Sequence, residues 1–332
     1  MRNTDGYHVG TLRCCALMYS RDPEHDPRVG DLLVPLQAVP ADALTVVIVG
    51  VPQHIGVERN GGRPGAAAAP AAIREQLFKL ATSAVIDVVR DGRLAIVDAG
   101  DVHTEGKTLE QIHDEQEDVV YRHLANGRLP IMLGGGHDTA WPTIRALDRR
   151  GELYGVANID AHADVRPLID GSRAHSGSPF YQMLTATTSA LAPAAFVEFG
   201  LQHHAVAKAH LDFLSGHGAT VLMLDDVRRR GIAAAWDRAM AVLTSTGTSY
   251  VSLDMDAFAS AYAPGVSAPA ADGFAPHELG YCLRQIGRNA TLTAMDVVEL
   301  NPAYDVDNRT AKLAATMIME VLAGIADRLR SR

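Results

Sequence analysis

Short apolar runs recur along most of this 332-residue chain, and longer amphipathic segments separate them. Eight runs, most of them rich in Val, Ile and Leu, are predicted to be strands: 45–51, 94–100, 129–135, 154–160, 195–200, 219–225, 249–256 and 291–297. Because they are almost continuously apolar rather than alternating, they are typical of parallel strands covered on both faces. Helices are predicted at 69–82, 108–127, 138–151, 235–247, 276–289 and 308–330.

The alternation of strands and helices predicts one doubly wound α/β domain. We expect three layers, α/β/α, around a mainly parallel sheet of about eight strands. Residues 1–42 lack this rhythm and contain the turn-rich stretches "SRDPEHDP" and "PLQAVPAD". We therefore assign residues 1–42 to an N-terminal extension and residues 43–332 to the α/β domain.

Composition narrows the classes of partner. The formal net charge of −9 argues against nucleic acid or an anionic membrane as the main partner. No apolar stretch approaches the roughly 18 residues of a membrane span, and the start lacks the build of a signal peptide. Three cysteines, Cys14, Cys15 and Cys282, without CxxC spacing, indicate reduced thiols. We expect a cytoplasmic homo-oligomer that acts on a small molecule.

Ionisable side chains follow three of the predicted strands. In "NIDAHADVRP" they occupy every second position, which in an extended segment puts them on one face. A histidine follows three glycines in "LPIMLGGGHD", and two aspartates end "SYVSLDMD". Ligands of an open parallel sheet bind beyond the carboxyl ends of its strands. The candidate metal ligands are therefore His137, Asp160, His162, Asp164, Asp254 and Asp256.

The chemistry of this set predicts two metal ions. Oxygen and nitrogen ligands without cysteine suit hard or borderline divalent ions and favour Mn²⁺ over Zn²⁺. Four carboxylates carry a charge of about −4, which two divalent ions would balance. A pair of such ions can lower the pKa of a shared water enough to yield hydroxide near neutral pH. The triple glycine 134–136 fits a backbone that approaches an ion or substrate closely.

Four segments, "GGGHD", "NIDAHADVR", "SLDMDAFASAYAPGVSAP" and "AMDVVELNP", resemble the motif regions of the ureohydrolase superfamily. This superfamily of dinuclear-manganese hydrolases includes arginase, agmatinase and formimidoylglutamase, and the resemblance runs from about residue 45 to the C-terminus. It implies an arginase-like fold and metal ligation by the same six residues. It also implies that Glu299 accepts hydrogen bonds from the amidine or guanidine end of the substrate, as a carboxylate can. We assign Asp164 a second role, the orientation of the attacking hydroxide.

Two loops resemble the formimidoylglutamase branch. The first is "IGVERNGGRPGAAAAPAAIREQL", with its RNGGR core. The second is "AHSGSPF", where Ser176 stands at the position at which arginases and agmatinases carry a proton-shuttling histidine. His175 lies one residue earlier, and we expect it to point elsewhere. Ser176 is therefore a predicted substrate-binding residue.

The substrate of that branch, N-formimidoyl-L-glutamate, carries two carboxylates. Arg59, Arg63 and Arg166 follow predicted strands, so we predict that they bind these groups, since a guanidinium matches a carboxylate. The predicted activity is hydrolysis to L-glutamate and formamide in histidine degradation. Alternatives are an agmatinase, an arginase or another guanidino-acid ureohydrolase, and a non-catalytic binding protein on the same scaffold.

Overall fold

The computed structural model describes residues 22–331, except for the side chain of Pro193. Within this range eight strands form one sheet: β1 Leu44–Gly50, β2 Leu94–Asp101, β3 Leu129–Leu133, β4 Tyr154–Ile159, β5 Leu191–Leu201, β6 Thr220–Met223, β7 Ser249–Asp254 and β8 Leu292–Val298. Their order is β2-β1-β3-β8-β7-β4-β5-β6, and every paired neighbour runs parallel. The predicted fold class is confirmed.

Eleven α-helices lie among the described residues: α1 Ile55–Arg59, α2 Ala69–Leu77, α3 Ile86–Arg90, α4 Leu109–Ala125, α5 Ala140–Arg150, α6 Pro179–Thr185, α7 Lys208–Gly216, α8 Leu224–Arg230, α9 Ile232–Leu243, α10 Pro276–Arg288 and α11 Arg309–Arg330. Five of the six predicted helical segments contain one of them, and the sixth, 235–247, overlaps α9, which begins at Ile232. The five that were missed, α1, α3, α6, α7 and α8, have five to nine residues. Such lengths give too few turns for a periodic pattern to stand out.

The sheet is buried on both faces, as the apolar runs predicted. In β1, Val46 and Ile48 belong to one apolar core, and Val47 and Val49 belong to the other. The first core includes side chains of α2, α10 and α11, and the second includes side chains of α4 and α5. Each fully buried aliphatic side chain contributes roughly 1.5–3 kcal/mol relative to its exposed state. Two such cores fix the sheet as the middle layer.

Strands β1, β3, β4, β6 and β7 end one or two residues earlier than the sequence predicted. β4 stops at Ile159, and Asp164 has φ 45°, so the segment with alternating ligands is not extended. The prediction that strand alternation places these side chains on one face is therefore wrong. β6 stops at Met223, because Leu224 begins helix α8, so the run predicted for 219–225 is two residues too long.

The predicted N-terminal extension is only partly described. Residues 22–42 contain two 3₁₀ turns, Val29–Leu32 and Leu36–Ala38, and Val29 is fully buried. Residues 1–21, which include Cys14 and Cys15, lie outside the described range, and Cys282 is a buried free thiol. The division at residue 42 stays a prediction. Over residues 22–331, no helix combines the length and apolar character that crossing a membrane requires.

Candidate metal centre

Four of the predicted ligands meet at the carboxyl end of the sheet. His137 begins a 3₁₀ turn after β3, and its Nδ1 faces three carboxylates. This atom lies 3.3 Å from Oδ2 of Asp160, 3.1 Å from Oδ2 of Asp164 and 3.1 Å from Oδ2 of Asp254. Asp164 is the most exposed of the four, with 15% of its side chain accessible. We call these residues the first cluster.

A second cluster adjoins the first and consists of Asp160, His162 and Asp256. His162 Nδ1 lies 3.1 Å from Oδ2 of Asp256 and 3.4 Å from Oδ1 of Asp160. Asp160 belongs to both clusters and turns Oδ2 towards His137 and Oδ1 towards His162. A carboxylate in this position can bridge two cations. The structure thus brings all six predicted ligands together.

The two clusters fit a dinuclear metal centre. His137 Nδ1 and Asp256 Oδ1 are buried and have no hydrogen-bond partner among the described residues. A buried polar atom without a partner costs about 1–3 kcal/mol, which a bound cation would offset. Ligand atoms within each cluster lie within 4.8 Å of one another, so one ion could touch them all. The assignment of each residue as a ligand stays a prediction.

Crowding of acids shifts their pKa values. Burial, and then the charge of Asp160 and Asp256, raises the pKa of Asp254 well above its usual range. Burial likewise raises the pKa of Asp256 to about 6. The charge of Asp256 raises the pKa of His162 well above its ordinary value, with Asp160 adding to the effect. Without a cation the clusters therefore hold protons, which metal binding would displace.

A chain of buried hydrogen bonds sets the tautomer of His137. Ser252 Oγ donates to Oδ1 of Asp296 at 2.6 Å, and the Tyr250 hydroxyl donates to the other oxygen of that carboxylate. Since the only hydrogen of Ser252 is used there, His137 Nε2 donates to Ser252 at 2.8 Å. In the neutral ring, Nδ1 is then the nitrogen whose lone pair a cation would accept. Such partners orient metal-binding histidines.

Asp160 has a separate support that the sequence analysis missed. The amide of Asn158 donates to Asp160 Oδ2 at 3.4 Å and to Oε2 of Glu198 at 2.9 Å. Glu198 is fully buried in β5, and burial raises its pKa well above the usual range. A carboxyl group inside the apolar run "AFVEFG" was the signal that could have pointed to it.

Glu299 lies beside the first cluster in a strained backbone conformation. Its φ is 64°, a region that residues other than glycine rarely occupy and that clusters at functional sites. Its backbone N–H donates to the carbonyl of Gly135 at 2.8 Å. A Cβ on Gly135 would lie 1.6 Å from the carbonyl oxygen of Gln53. The close approach that requires this glycine is therefore to the chain itself.

A cavity of about 300 Å³ opens onto the clusters. Ligand residues line its floor, and Glu299 is also part of its wall. The other polar residues that line it include three that the sequence predicted and three that it missed. The predicted ones are Arg63, Arg166 and Ser176, and the missed ones are Asn60, His210 and Ser267. Asn60 Nδ2 donates to Ser176 Oγ at 3.1 Å, and Arg166 donates to Asn60 Oδ1 at 3.4 Å.

The three predicted arginines occupy different surroundings. Arg166 lines the cavity, and within the described chain its guanidinium has one hydrogen-bond partner, the side chain of Asn60. Arg63 also lines the cavity, but its guanidinium donates to the carbonyls of Ser267 and Val266. Arg59 pairs with Glu110 at 2.5 Å and is not among the residues that line the cavity.

His175 is tied into its own loop. Its Nε2 lies 3.0 Å from the carbonyl of Pro167, and Nδ1 accepts from the backbone N–H of Gly177 at 3.2 Å. The side chain is almost fully buried and does not line the cavity. The expectation that His175 points away from the site agrees with this geometry.

Comparison with known proteins identifies close relatives along nearly the whole chain. A sequence profile of the Arginase family matches residues 44–324. A formimidoylglutamase of Ralstonia nicotianae is 34% identical over 288 residues, 85% of each chain. The crystal structure of Trypanosoma cruzi formiminoglutamase with Mn²⁺ superposes with a TM-score of 0.83 at 35% identity, covering 91% of this chain and 99% of that one. Proclavaminate amidino hydrolase of Streptomyces clavuligerus gives 0.76 at 28% identity, over 90% and 96%.

Proposed function

The chain belongs to the arginase family, and from this membership we propose that it hydrolyses N-formimidoyl-L-glutamate to L-glutamate and formamide. Relatives named formimidoylglutamase, such as that of Ralstonia nicotianae, support this choice within the family. The reaction adds water to the formimidoyl carbon and breaks its bond to the amino nitrogen of glutamate. The chain is thus a hydrolase of amidine C–N bonds.

One observation carries the proposal: carboxylates and guanidinium groups line the same cavity of about 300 Å³. Glu299 and Asp164 provide negative charge beside the metal centre, and Arg166 and Arg63 provide positive charge elsewhere in the wall. N-formimidoyl-L-glutamate has a cationic amidine at one end and two carboxylates on its glutamate part. The cavity therefore matches this substrate in charge, whereas a substrate with a cationic tail, such as agmatine, would meet the guanidinium groups.

Glu299 is suited to hold the amidine. Its Oε1 accepts from the backbone N–H of His137 at 2.9 Å, and no other described residue hydrogen-bonds to Oε2. Oε2 therefore remains for an N–H of the substrate, and a charge-assisted bond of this kind stabilises by about 1.5–3 kcal/mol. Burial raises the pKa of Glu299 to about 8, and a bound amidinium would favour its ionised form.

Among the proposed metal ligands, Asp164 is positioned to transfer protons. Its side chain is the most exposed in the first cluster and lines the cavity. We assign it two tasks: it orients the attacking water, and it passes a proton from that water to the leaving amine. Two bound divalent ions would contribute by lowering the pKa of the water. We propose Mn²⁺ for both, because the ligand set suits it and the Trypanosoma cruzi relative was crystallised with Mn²⁺.

Arg166 is the first choice for binding a substrate carboxylate. Its guanidinium is free of acidic partners in the described chain and faces the cavity. Arg63 is already bonded to two carbonyls, so we assign it chiefly to holding the loop around Ser267 in place. Ser176 remains a proposed substrate contact. Arg59 is a weaker proposal, because Glu110 neutralises it. A cytoplasmic location and a homo-oligomer are proposed from composition alone.

A substrate panel tests the activity. The Mn²⁺-loaded protein would be assayed with N-formimidoyl-L-glutamate, agmatine, L-arginine and 4-guanidinobutyrate. We expect kcat/KM for the first to exceed the others by at least about a hundredfold, the value of two charge-assisted contacts. A higher kcat/KM for agmatine or arginine would overturn the proposal in favour of another ureohydrolase. Turnover of none of the four by a protein that holds two metal ions would favour a binding protein.

A further inference from the structure

His210 lies in the wall of the catalytic cavity without an assigned task. It belongs to the first turn of α7, which follows the loop after β5. Its side chain is half-buried and lines the cavity together with Asp164 and Arg166. The nearby His203 and His204 are exposed and do not line it. His210 is thus the one histidine of "QHHAVAKAH" that reaches the cavity in the described structure.

The imidazole of His210 has an unused hydrogen-bonding edge. No residue in the described part of the chain forms a hydrogen bond with either ring nitrogen, whereas both ring nitrogens of the loop histidine His175 are occupied. An imidazole presents at least one N–H donor whether it is neutral or charged. A half-buried donor that faces a cavity and lacks a protein partner is a candidate for binding a ligand acceptor.

The groups around His210 favour an anion as the bound ligand. His210 and Arg166 line the same cavity, and burial, followed by the charge of Arg166, lowers the pKa of His210, while the charge of Asp164 opposes this shift. Asp164 lies on the metal side and is bound into the first cluster. A carboxylate placed between the imidazole and the guanidinium would accept from both and would relieve their repulsion.

We propose that His210 and Arg166 together bind a carboxylate of the glutamate part of the substrate, and that His210 is a specificity-determining residue of this cavity. The inference rests on the proposed function and adds a second donor to it. His210 in α7 and Arg166 in the loop after β4 would then favour substrates whose acid group lies at the matching distance from the metal centre. Substrates without that group lose both contacts.

The test compares His210→Ala and His210→Gln with the matched control His203→Ala. Alanine favours helix, so α7 should persist, and far-UV circular dichroism and metal content check this. We expect His210→Ala to raise KM for N-formimidoyl-L-glutamate about tenfold or more, with kcat changed less than threefold. His210→Gln keeps an N–H donor and should recover most of the loss. His203→Ala should match the wild type.

Truncated substrates identify the group that is bound. N-formimidoyl-4-aminobutyrate lacks the α-carboxylate, N-formimidoyl-L-2-aminobutyrate lacks the distal carboxylate, and N-formimidoylpropylamine lacks both. The effect of His210→Ala should persist for one of the two acids and disappear for the amine derivative. An equal effect on the amine derivative, or kinetics equal to those of His203→Ala, would overturn the role of His210 while leaving the proposed function intact. Failure of the wild type to hydrolyse N-formimidoyl-L-glutamate would overturn both.

Discussion

The backbone N–H of His137 donates a hydrogen bond of 2.9 Å to Oε1 of Glu299, across 162 positions of sequence. The two residues follow β3 and β8, which are neighbours in the sheet. One bond thus joins the first cluster to the carboxylate proposed to hold the amidine. The backbone N–H of Glu299, which has φ 64°, donates separately to the carbonyl of Gly135.

Glu299→Gln should separate substrate binding from metal binding. Glutamine can still accept from the N–H of His137, but it loses the charge that pairs with an amidinium. We expect kcat/KM to fall about tenfold to a hundredfold, as one charge-assisted hydrogen bond implies. Metal content, measured by atomic emission after Mn²⁺ loading, should stay at two ions per chain. Loss of metal in this variant would instead make Glu299 part of the metal centre.

Asp254→Asn, unlike Glu299→Gln, should lose metal as well as activity. Asp254 is almost fully buried in the first cluster, and replacing its charge with an amide leaves the cluster deficient in negative charge. We expect loss of at least one metal ion together with most of the activity, since metal ligands must be anionic here. Asp272→Asn, which changes an exposed aspartate paired with Arg228, is the matched control. A wild-type metal content in Asp254→Asn would rule out this ligand assignment.

Arg166→Ala should raise KM for N-formimidoyl-L-glutamate more than Arg166→Lys does. Lysine retains the charge but not the forked geometry, and alanine removes both. The expected increase for alanine is about tenfold to a hundredfold, with kcat nearly unchanged. Steady-state kinetics at saturating Mn²⁺ measure it. Wild-type kinetics in Arg166→Ala would remove this residue from the substrate site.

His175→Ala should lower stability more than catalysis. Both ring nitrogens bond to the backbone of its own loop, so the substitution leaves the Gly177 N–H and the Pro167 carbonyl without partners. We expect a lower Tm and a fall in kcat below about tenfold, whereas loss of a positioned acid or base costs about 10²–10⁴. A thousandfold fall in kcat with unchanged metal content would restore a histidine proton shuttle.

Metal affinity should rise with pH between 6 and 8. Burial raises the pKa of Asp256 to about 6 and that of Glu299 to about 8 in the metal-free protein. At pH 6 both groups hold protons to a large extent, and a divalent ion must displace the proton of Asp256 to bind there. Affinity is therefore lower at pH 6, and binding releases protons. Titration calorimetry in buffers of different ionisation enthalpy measures both effects. A pH-independent affinity without proton release would contradict the assignment.

The same two carboxyl groups determine how the stability of the metal-free protein changes with pH. Their folded pKa values lie above the ordinary carboxyl values, so the metal-free folded state binds more protons than the unfolded chain. Metal-free stability should therefore fall as pH rises from about 4 towards 8, over the span between ordinary and raised pKa values. The stabilisation by added Mn²⁺ should grow over the upper part of the same range.

The sequence by itself determined the layers, and it predicted the residues that the structure brings together as candidate metal ligands. Nearly continuous apolar runs can be satisfied only when both faces of a strand are covered, which fixes a parallel sheet between helices. Since the carboxyl ends of such strands meet at one edge, polar residues that follow them, such as His137 and Asp254, must come together. These conclusions need only local pattern and topology.

Only the tertiary structure decided in which direction the side chains point. The sequence predicted one extended face for Asp160, His162 and Asp164, yet their convergence depends on a loop in which Asp164 takes φ 45°. Arg59 and Arg63 are four positions apart and look alike in sequence, but one pairs with Glu110 and the other lines the cavity.

Contacts between residues far apart in the chain explain the other site features that the sequence did not predict. Ser252 acquires its role from Asp296 in the neighbouring strand, and His210 reaches the cavity because α7, too short to be predicted, turns it inward. Such contacts depend on residues far apart in the chain, and apolar periodicity carries no information about them. The direction of a side chain at a loop or a helix end is set by whatever packs against it.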